Sequence, residues 1–548
     1  MHRSAVLPVL TVAILVGQFW WRGERFIAAN GPTFDEAAHL AAGYGYWTAG
    51  EFRLNPEHPP LLKLLWALPL RIRGDAPDFP WEVAKQTQLN HWHVGMVWLY
   101  QSGQPPHELL NPARRVNLAL GAGLVVLSGW VAYRVWGRRL AAIAGSGFAA
   151  CDPTVLALSC VLTTDIGLTV FAFLTCYLLW EYVAAPSSRL LLAAGVSLGL
   201  TLGAKFSAVA VVAGLGLAGL LFVSCGGRLG LPSQAERGFR PALKLAIRLG
   251  AIAGVTLAVT YGVVHFDQWG RGLKFQLTRT HHGDGVAYLL GEISATGWLH
   301  YFLVALPVKL PLGLIVAAGV SAVSLVTGLK QDSAHRRALF LVIPPLIFFL
   351  LASWSRVNVG VRAVLPVFPF VHLLASGLAA SGSCPVFRRG LLTACLVGCG
   401  ITAWQATPNE IAYFNELIGS PTNGMGYLAD SNLDWGQGLP ALKHWMDCAG
   451  VEAIYLGYFG TDRPEAYGIR YQSLPGYGRV GREGGETISP DTPQKIVAVS
   501  ANHLLGLFLN DPETYAWLRE RTPLAVVGGS IFLFDVSGDP TSLTHLHR

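Results

Sequence analysis

Hydrophobic and polar positions fall in long blocks along most of this chain. Apolar runs bounded by polar punctuation occupy 4–20, 116–134, 139–151, 165–184, 189–203, 205–223, 247–265, 311–327, 338–353, 363–380 and 390–405, a pattern that predicts eleven membrane-spanning helices. Several runs are shorter than the roughly 20 residues that a perpendicular span needs, so some of these helices must be short or partly enclosed by protein. The first run has the look of a signal peptide, but no small-residue cleavage site precedes Trp20 and Trp21, and an uncleaved first helix is expected.

From Pro408 onward the pattern changes. Apolar runs shorten to strand length in "AIYLGYFG", "KIVAVSA", "LAVVGG" and "IFLFDV", and helix-like stretches such as "PETYAWLRER" lie between them. Acids outnumber Lys and Arg there. The chain therefore divides into a polytopic α-helical membrane part, 1–405, and a small α/β domain outside the membrane, 406–548. One glycine-rich stretch in the tail, Gly476 to Gly481, fits G-x-G-x-x-G, but it follows a proline and precedes no helix pattern; it is rejected as a dinucleotide site.

Composition agrees with a membrane protein: 52% of the 548 residues are hydrophobic, 13% are charged, and the mean hydropathy is +0.42. The pI near 9.0 reflects orientation. Arg134, Arg138 and Arg139, then Arg228, Arg237, Arg240, Lys244 and Arg248, then Lys330, Arg336 and Arg337, and finally Arg388 and Arg389 occupy alternate loops with almost no acids. Those loops are cytoplasmic, as is the N-terminus. The loop 21–115, the turn around Thr163 to Asp165, the segments 267–310 and 354–362, and the tail are then extracytoplasmic. No basic face with interleaved aromatics exists, which excludes a nucleic-acid partner. The eight cysteines lack metal spacing, and Cys395 and Cys399 read as small core residues of a helix.

The candidate chemistry gathers on the outer side. In the first loop, "PTFDEAAHLAAGYGYWTAGEFRLNPEHPPLLK", Thr33 and Glu36 fit a T-x-x-E capping box and predict a helix lying along the membrane interface. Glu36 thus has a structural task, whereas Asp35 is only mildly explained by the helix dipole and stays open to a functional role. Glu36 and His39 also make a single Glu-x-x-His step, which binds metals only in company. Asp165 heads a later run, either as a helix cap after Thr163 and Thr164 or as a second acidic group. Lys205, Lys309, Arg356 and Arg362 lie on the same side; each alone fits a snorkelling side chain, and together they suggest an anion site.

These residues resemble a family. Asp35-Glu36 after the first helix, "NPEHPPLLK" in the same loop, Asp165, the lysine of "GAKFS" and "NVGVRAVLPVFPF" are similar to the GT-C membrane glycosyltransferases, in the branch holding protein O-mannosyltransferases and lipid A aminoarabinose transferases. The likeness covers about residues 1–405. It implies a polyprenyl-phosphate-linked sugar donor, a hydroxyl-bearing acceptor outside the cytoplasm, and Asp35 as the base. It makes Asp35, Glu36 and Asp165 the candidate catalytic carboxylates, and Lys63, Lys205, Lys309, Arg356 and Arg362 the candidate donor-phosphate ligands. Glu57 matches a glutamate that in some members helps hold a divalent metal ion, with His58 beside it. His58 stands where the aminoarabinose branch has lysine, so that branch's donor sugar is not carried over. The tail resembles a bacterial subgroup with "DSNLDWGQGL" (Asp430 to Leu439), which points to a bacterial inner membrane; Asp434 there is expected to cap the helix before "GLPALKHWM".

The chemistry is coherent. Outside the cytoplasm nucleotide sugars are not expected, so a transferase there needs a donor already in the bilayer. A lipid-phosphate leaving group calls for fixed cations and a hydroxyl nucleophile for a carboxylate in hydrogen-bond reach. The rival class is a transporter or a scaffold with an exported binding domain, since ionisable groups near spans also mark transport routes.

Overall fold

The computed structural model describes residues 3–229, 236–282, 286–327, 333–380, 385–476, 485–489 and 494–539. Each of the eleven apolar runs holds a helix, from Arg3–Ala29 to Pro385–Ala406; the run at 205–223 becomes helical at Ala208, the run at 247–265 stops being helical at Thr260, and the run at 363–380 starts as the 3-10 turns Val361–Val367 before Phe368–Ser376. Among the described residues, six helices are long and apolar enough to cross a membrane: Pro106–Trp136, Thr164–Ala184, Phe239–Thr260, Arg336–Trp354, Val361–Ala379 and Val386–Ala406. Two bent pairs raise that number to as many as eight. Arg139–Ala150 turns by 60° into Pro153–Cys160, and Tyr301–Lys309 by 111° into Leu312–Leu325. Each break precedes a proline, Pro153 or Pro311, whose ring disfavours helical geometry in the residue before it. Ser188–Ala204 and Ala208–Ser224 are shorter apolar helices.

The stretch between Arg3–Ala29 and Pro106–Trp136 is itself helical, with Glu36–Ala49, Leu61–Arg73, Trp81–Gln86 and His91–Gln101. Most residues of Glu36–Ala49 from Glu36 to Tyr46 are buried. Glycines permit this. A Cβ on Gly43 would come 2.0 Å from the Lys63 carbonyl oxygen, and one on Gly95 would come 2.6 Å from that of Ala37, so the helices meet backbone to backbone.

The tail holds a five-stranded sheet in the order Arg470–Ser473, Ala453–Gly457, Ile496–Ser500, Ile531–Asp535, Ala525–Val527. The first three strands are parallel and the last two pairings antiparallel. Side chains alternate across it: Ile454, Leu456, Ile496, Ala498, Ile531 and Leu533 pack with Leu439, Leu442 and Met446 of the helix Leu439–Ala449. Tyr455, Val497, Val499, Phe532 and Phe534 join the main apolar cluster on the other face. All four apolar runs of the tail became strands, whereas "PETYAWLRER" yields only Ala516–Arg519 as helix. The rejected glycine-rich stretch lies outside the described residues beyond Gly476.

Candidate active site

Asp35 ends the approach to Glu36–Ala49 and occupies its N-cap position, yet its side chain makes no capping hydrogen bond. The carboxylate turns instead to Arg362, with Oδ2 3.2 Å from Nη1 and side-chain exposures of 20% and 18%. Arg362 comes from the 3-10 turns Val361–Val367. Asp165 stands in the first turn of Thr164–Ala184, where it accepts from the Thr163 hydroxyl. Its Oδ1 lies 2.6 Å from Nζ of Lys205, the residue that ends Ser188–Ala204. Asp165 is 1% exposed and Lys205 21%. The charges of Asp35, Asp165 and Asp430 all bear on Arg362. Four of the residues singled out in the sequence thus meet as two ion pairs around one guanidinium, and Asp35 is the accessible carboxylate of the two.

Glu36 is placed otherwise. Its Oε2 accepts from the Thr33 backbone N–H at 2.7 Å, one half of a capping box; the Thr33 hydroxyl makes no return bond, and the N-cap position falls to Asp35. Arg114 grips both oxygens, at 2.9 and 2.6 Å, and the Leu162 N–H donates to Oε1 at 2.9 Å. With no side-chain exposure, Glu36 is a buried clamp, and its two oxygens accept four hydrogen bonds from Thr33, Arg114 and Leu162. Arg114, which sequence reasoning passed over, sits in "NPARRVNL" ahead of an apolar run; an arginine entering a span was the available signal.

Two of the five predicted phosphate ligands are committed elsewhere. Lys63 Nζ donates to the carbonyl of Asn55 at 2.7 Å, to Asn55 Oδ1 at 3.2 Å and to the carbonyl of His58 at 2.8 Å, so it ties down "NPEHPP". Lys309 Nζ donates to the carbonyls of Ile411, Tyr413 and Asn432, at 2.9, 2.5 and 2.7 Å. An ammonium has three donors, and both lysines spend them on oxygens of the chain. Arg356 is exposed.

The residues suggested for a metal do not fit one. Glu57 stands 3.6 Å from His91 Nε2 and 3.5 Å from Arg279 Nη1, a cation already in place. The ring of His58 faces that of His39, with centroids 5.3 Å apart. Among the described residues no three His, Cys, Asp or Glu are grouped to hold an ion. Burial, reinforced for His39 by Lys63 and for His58 by His39, pushes both imidazoles well below their usual values and keeps them neutral.

The "DSNLDWGQGL" segment lies over this site. Asn432 Oδ1 accepts from the Val361 N–H at 2.8 Å, and its Nδ2 donates to the Tyr301 hydroxyl at 2.9 Å. The Trp435 and Gln437 carbonyls accept from the Phe34 and Gly31 N–H groups, each at 3.0 Å. Asp434 does not cap the following helix, whose N-cap is Gly438; it accepts from the N–H groups of Gly436 at 3.1 Å and Asn502 at 3.4 Å. Burial raises its carboxyl to about 7 against those bonds.

Comparison with known proteins bears on residues of this site. No curated protein matches the chain significantly. Two solved structures are similar along nearly its whole length: ArnT from Cupriavidus metallidurans bound to undecaprenyl phosphate, with 14% identity over 97% of this chain and 98% of that one at a TM-score of 0.48, and the same protein in the apo state, with 14% identity, 98% and 99% coverage and a TM-score of 0.49. Residues 109–226, which include Arg114, Asp165 and Lys205, match the sequence model of a family described as dolichyl-phosphate-mannose-protein mannosyltransferase. Over those residues the chain is similar to the dolichyl-phosphate-mannose-protein mannosyltransferase family.

Proposed function

We propose that this protein transfers a sugar from a polyprenyl-phosphate carrier to a hydroxyl on a protein, lipid or glycan, on the outer side of a bacterial inner membrane and with inversion at the anomeric carbon. The observation that carries this reading is the meeting of Asp35 with Arg362, beside the pair Asp165 and Lys205. The acceptor oxygen attacks the anomeric carbon as Asp35 takes its proton. The bond from that carbon to the phosphate oxygen breaks, the phosphate keeps the electron pair, and the sugar leaves attached to the acceptor. Arg362 and Lys205, with exposed Arg356 nearby in the chain, balance the charge that develops on the phosphate. Asp165, too buried to meet an acceptor, orients Lys205. The family name supports the donor class, since a dolichyl phosphate is a polyprenyl-type lipid phosphate.

The proposal includes the topology: eleven spans, the N-terminus in the cytoplasm, a catalytic part from 1 to 405 and an extracytoplasmic α/β domain from 406 to 548. The helix held by each of the eleven runs and the alternation of basic loops support it. A reporter active only outside the cytoplasm should work when fused after Asn423 and stay silent after Arg389; the reverse would put Asp35 in the cytosol.

The activity itself is tested by incubating purified protein with a polyprenyl-phosphate sugar, with and without a hydroxyl acceptor. Acceptor-dependent release of free polyprenyl phosphate is expected. A transporter would move the donor without cleaving it, and release of a polyprenyl diphosphate from a diphosphate-linked donor instead would mark an oligosaccharide transferase.

A further inference from the structure

Trp435 lies far from Arg362 in the chain, yet the guanidinium carbon stands 4.2 Å from the centroid of a Trp435 ring. The ring is 3% exposed, and an indole face is the best aromatic partner for a cation, the more so when water is kept away. Its backbone is held on both sides. The Trp435 N–H donates to Gln437 Oε1 at 2.7 Å, and its carbonyl accepts from Phe34 at 3.0 Å, one residue before Asp35. Asn432, three residues earlier, binds the N–H of Val361 at 2.8 Å, one residue before Arg362. One short segment of the tail therefore grips the backbone beside both members of the Asp35–Arg362 pair and lays an aromatic face against the guanidinium between them.

We infer that Trp435 is a positioning residue of the active site: it holds the Arg362 guanidinium against Asp35 and in reach of the donor phosphate, so that the tail completes the site built by the membrane part. The inference rests on the reading of Arg362 as a phosphate ligand. A purely structural tryptophan would contribute equally whether or not an arginine lay beneath it. A positioning tryptophan contributes only through that arginine.

The test is a double-mutant cycle on the full-length protein in detergent, with undecaprenyl phosphate as the lipid-phosphate probe and binding as the readout. Trp435→Leu should weaken binding about 3- to 30-fold, the range of a desolvated cation–π contact, and Trp435→Phe should recover part of it. In an Arg362→Ala background, Trp435→Leu should add less than about a 2-fold change, because its partner is gone. Wild-type affinity in Trp435→Leu, or an equal loss in both backgrounds, overturns the inference. Where Trp435→Leu does not fold, the same cycle is run with Trp435→Phe, which should show a smaller loss confined to the Arg362 background. A wild-type protein that binds no undecaprenyl phosphate would instead sink the phosphate reading itself, and the inference with it.

Discussion

Arg362 Nη1 lies 3.2 Å from Asp35 Oδ2, a contact between residues 327 apart in sequence. The pair joins the proposed base to the proposed phosphate ligand before any donor arrives. It gives the carboxylate a fixed direction and, with Nε donating to the Val359 carbonyl at 3.4 Å, leaves Nη2 for a phosphate oxygen.

Arg362→Ala should accordingly weaken binding of a polyprenyl phosphate about 10- to 100-fold, the scale of a charged hydrogen bond. Arg362→Lys should recover only part of the loss, since a point charge cannot reproduce the fork. Equilibrium binding in detergent reads both. Unchanged affinity in Arg362→Ala would remove the residue from the site.

Lys309 is expected to behave in the opposite way. Lys309→Met leaves the carbonyls of Ile411, Tyr413 and Asn432 without their shared donor, so the melting temperature should fall while phosphate affinity of the folded protein stays within about 2-fold. A stable variant with lost affinity would mean that the ammonium reaches the ligand after all.

Glu36→Gln keeps the shape of the capping partner but leaves the buried Arg114 charge uncompensated. A cost on the order of 3–5 kcal/mol is expected, read by thermal or denaturant unfolding. Adding Arg114→Met should recover much of it, because both charges are then gone. Wild-type stability in Glu36→Gln would return Glu36 to a mere cap.

Acid should loosen the fold. Burial, helped by Lys63, lowers His91 to about 4, and burial lowers His503 to about 4; His39 and His58 are lowered too. Between those folded values and the ordinary imidazole value near 6.5 the unfolded chain binds more protons, so this stability is complete above about pH 6.5 and is lost as pH falls toward 4. Asp434 and Asp462, raised by burial to about 7 and about 6, work the other way, favouring the fold at lower pH. Burial raises Glu410 in the same sense, and four histidines against three carboxyls predict a net loss on acidification. Melting curves of wild type and His91→Asn across pH 7.5 to 4.5 check the sign: the variant should lose less stability over that range, and equal losses would discount His91.

The helices of the membrane part and the strands of the tail were legible because apolar blocks and short apolar runs carry their own periodicity. Asp35 was legible for a related reason: the capping box accounted for Glu36 and left its neighbour without a task. What the sequence hid are pairings across distance. Nothing beside Lys63 or Lys309 reveals that backbone carbonyls would absorb their donors, and the partner of Glu36 lies 78 residues away. The strand Arg470–Ser473 is polar and gave no run to read. Trp435 looked like one more tryptophan among 17, and only the fold sets it against Arg362.

The central claim is that Asp35 takes the acceptor's proton, and the turnover of Asp35→Asn with a polyprenyl-phosphate sugar tests it most directly. The amide keeps the size of the side chain and loses its basicity, so turnover should fall roughly 10²- to 10⁴-fold while the variant folds and still binds the lipid phosphate. An Asp35→Asn protein that folds, binds the lipid phosphate and turns over at the wild-type rate would contradict the account.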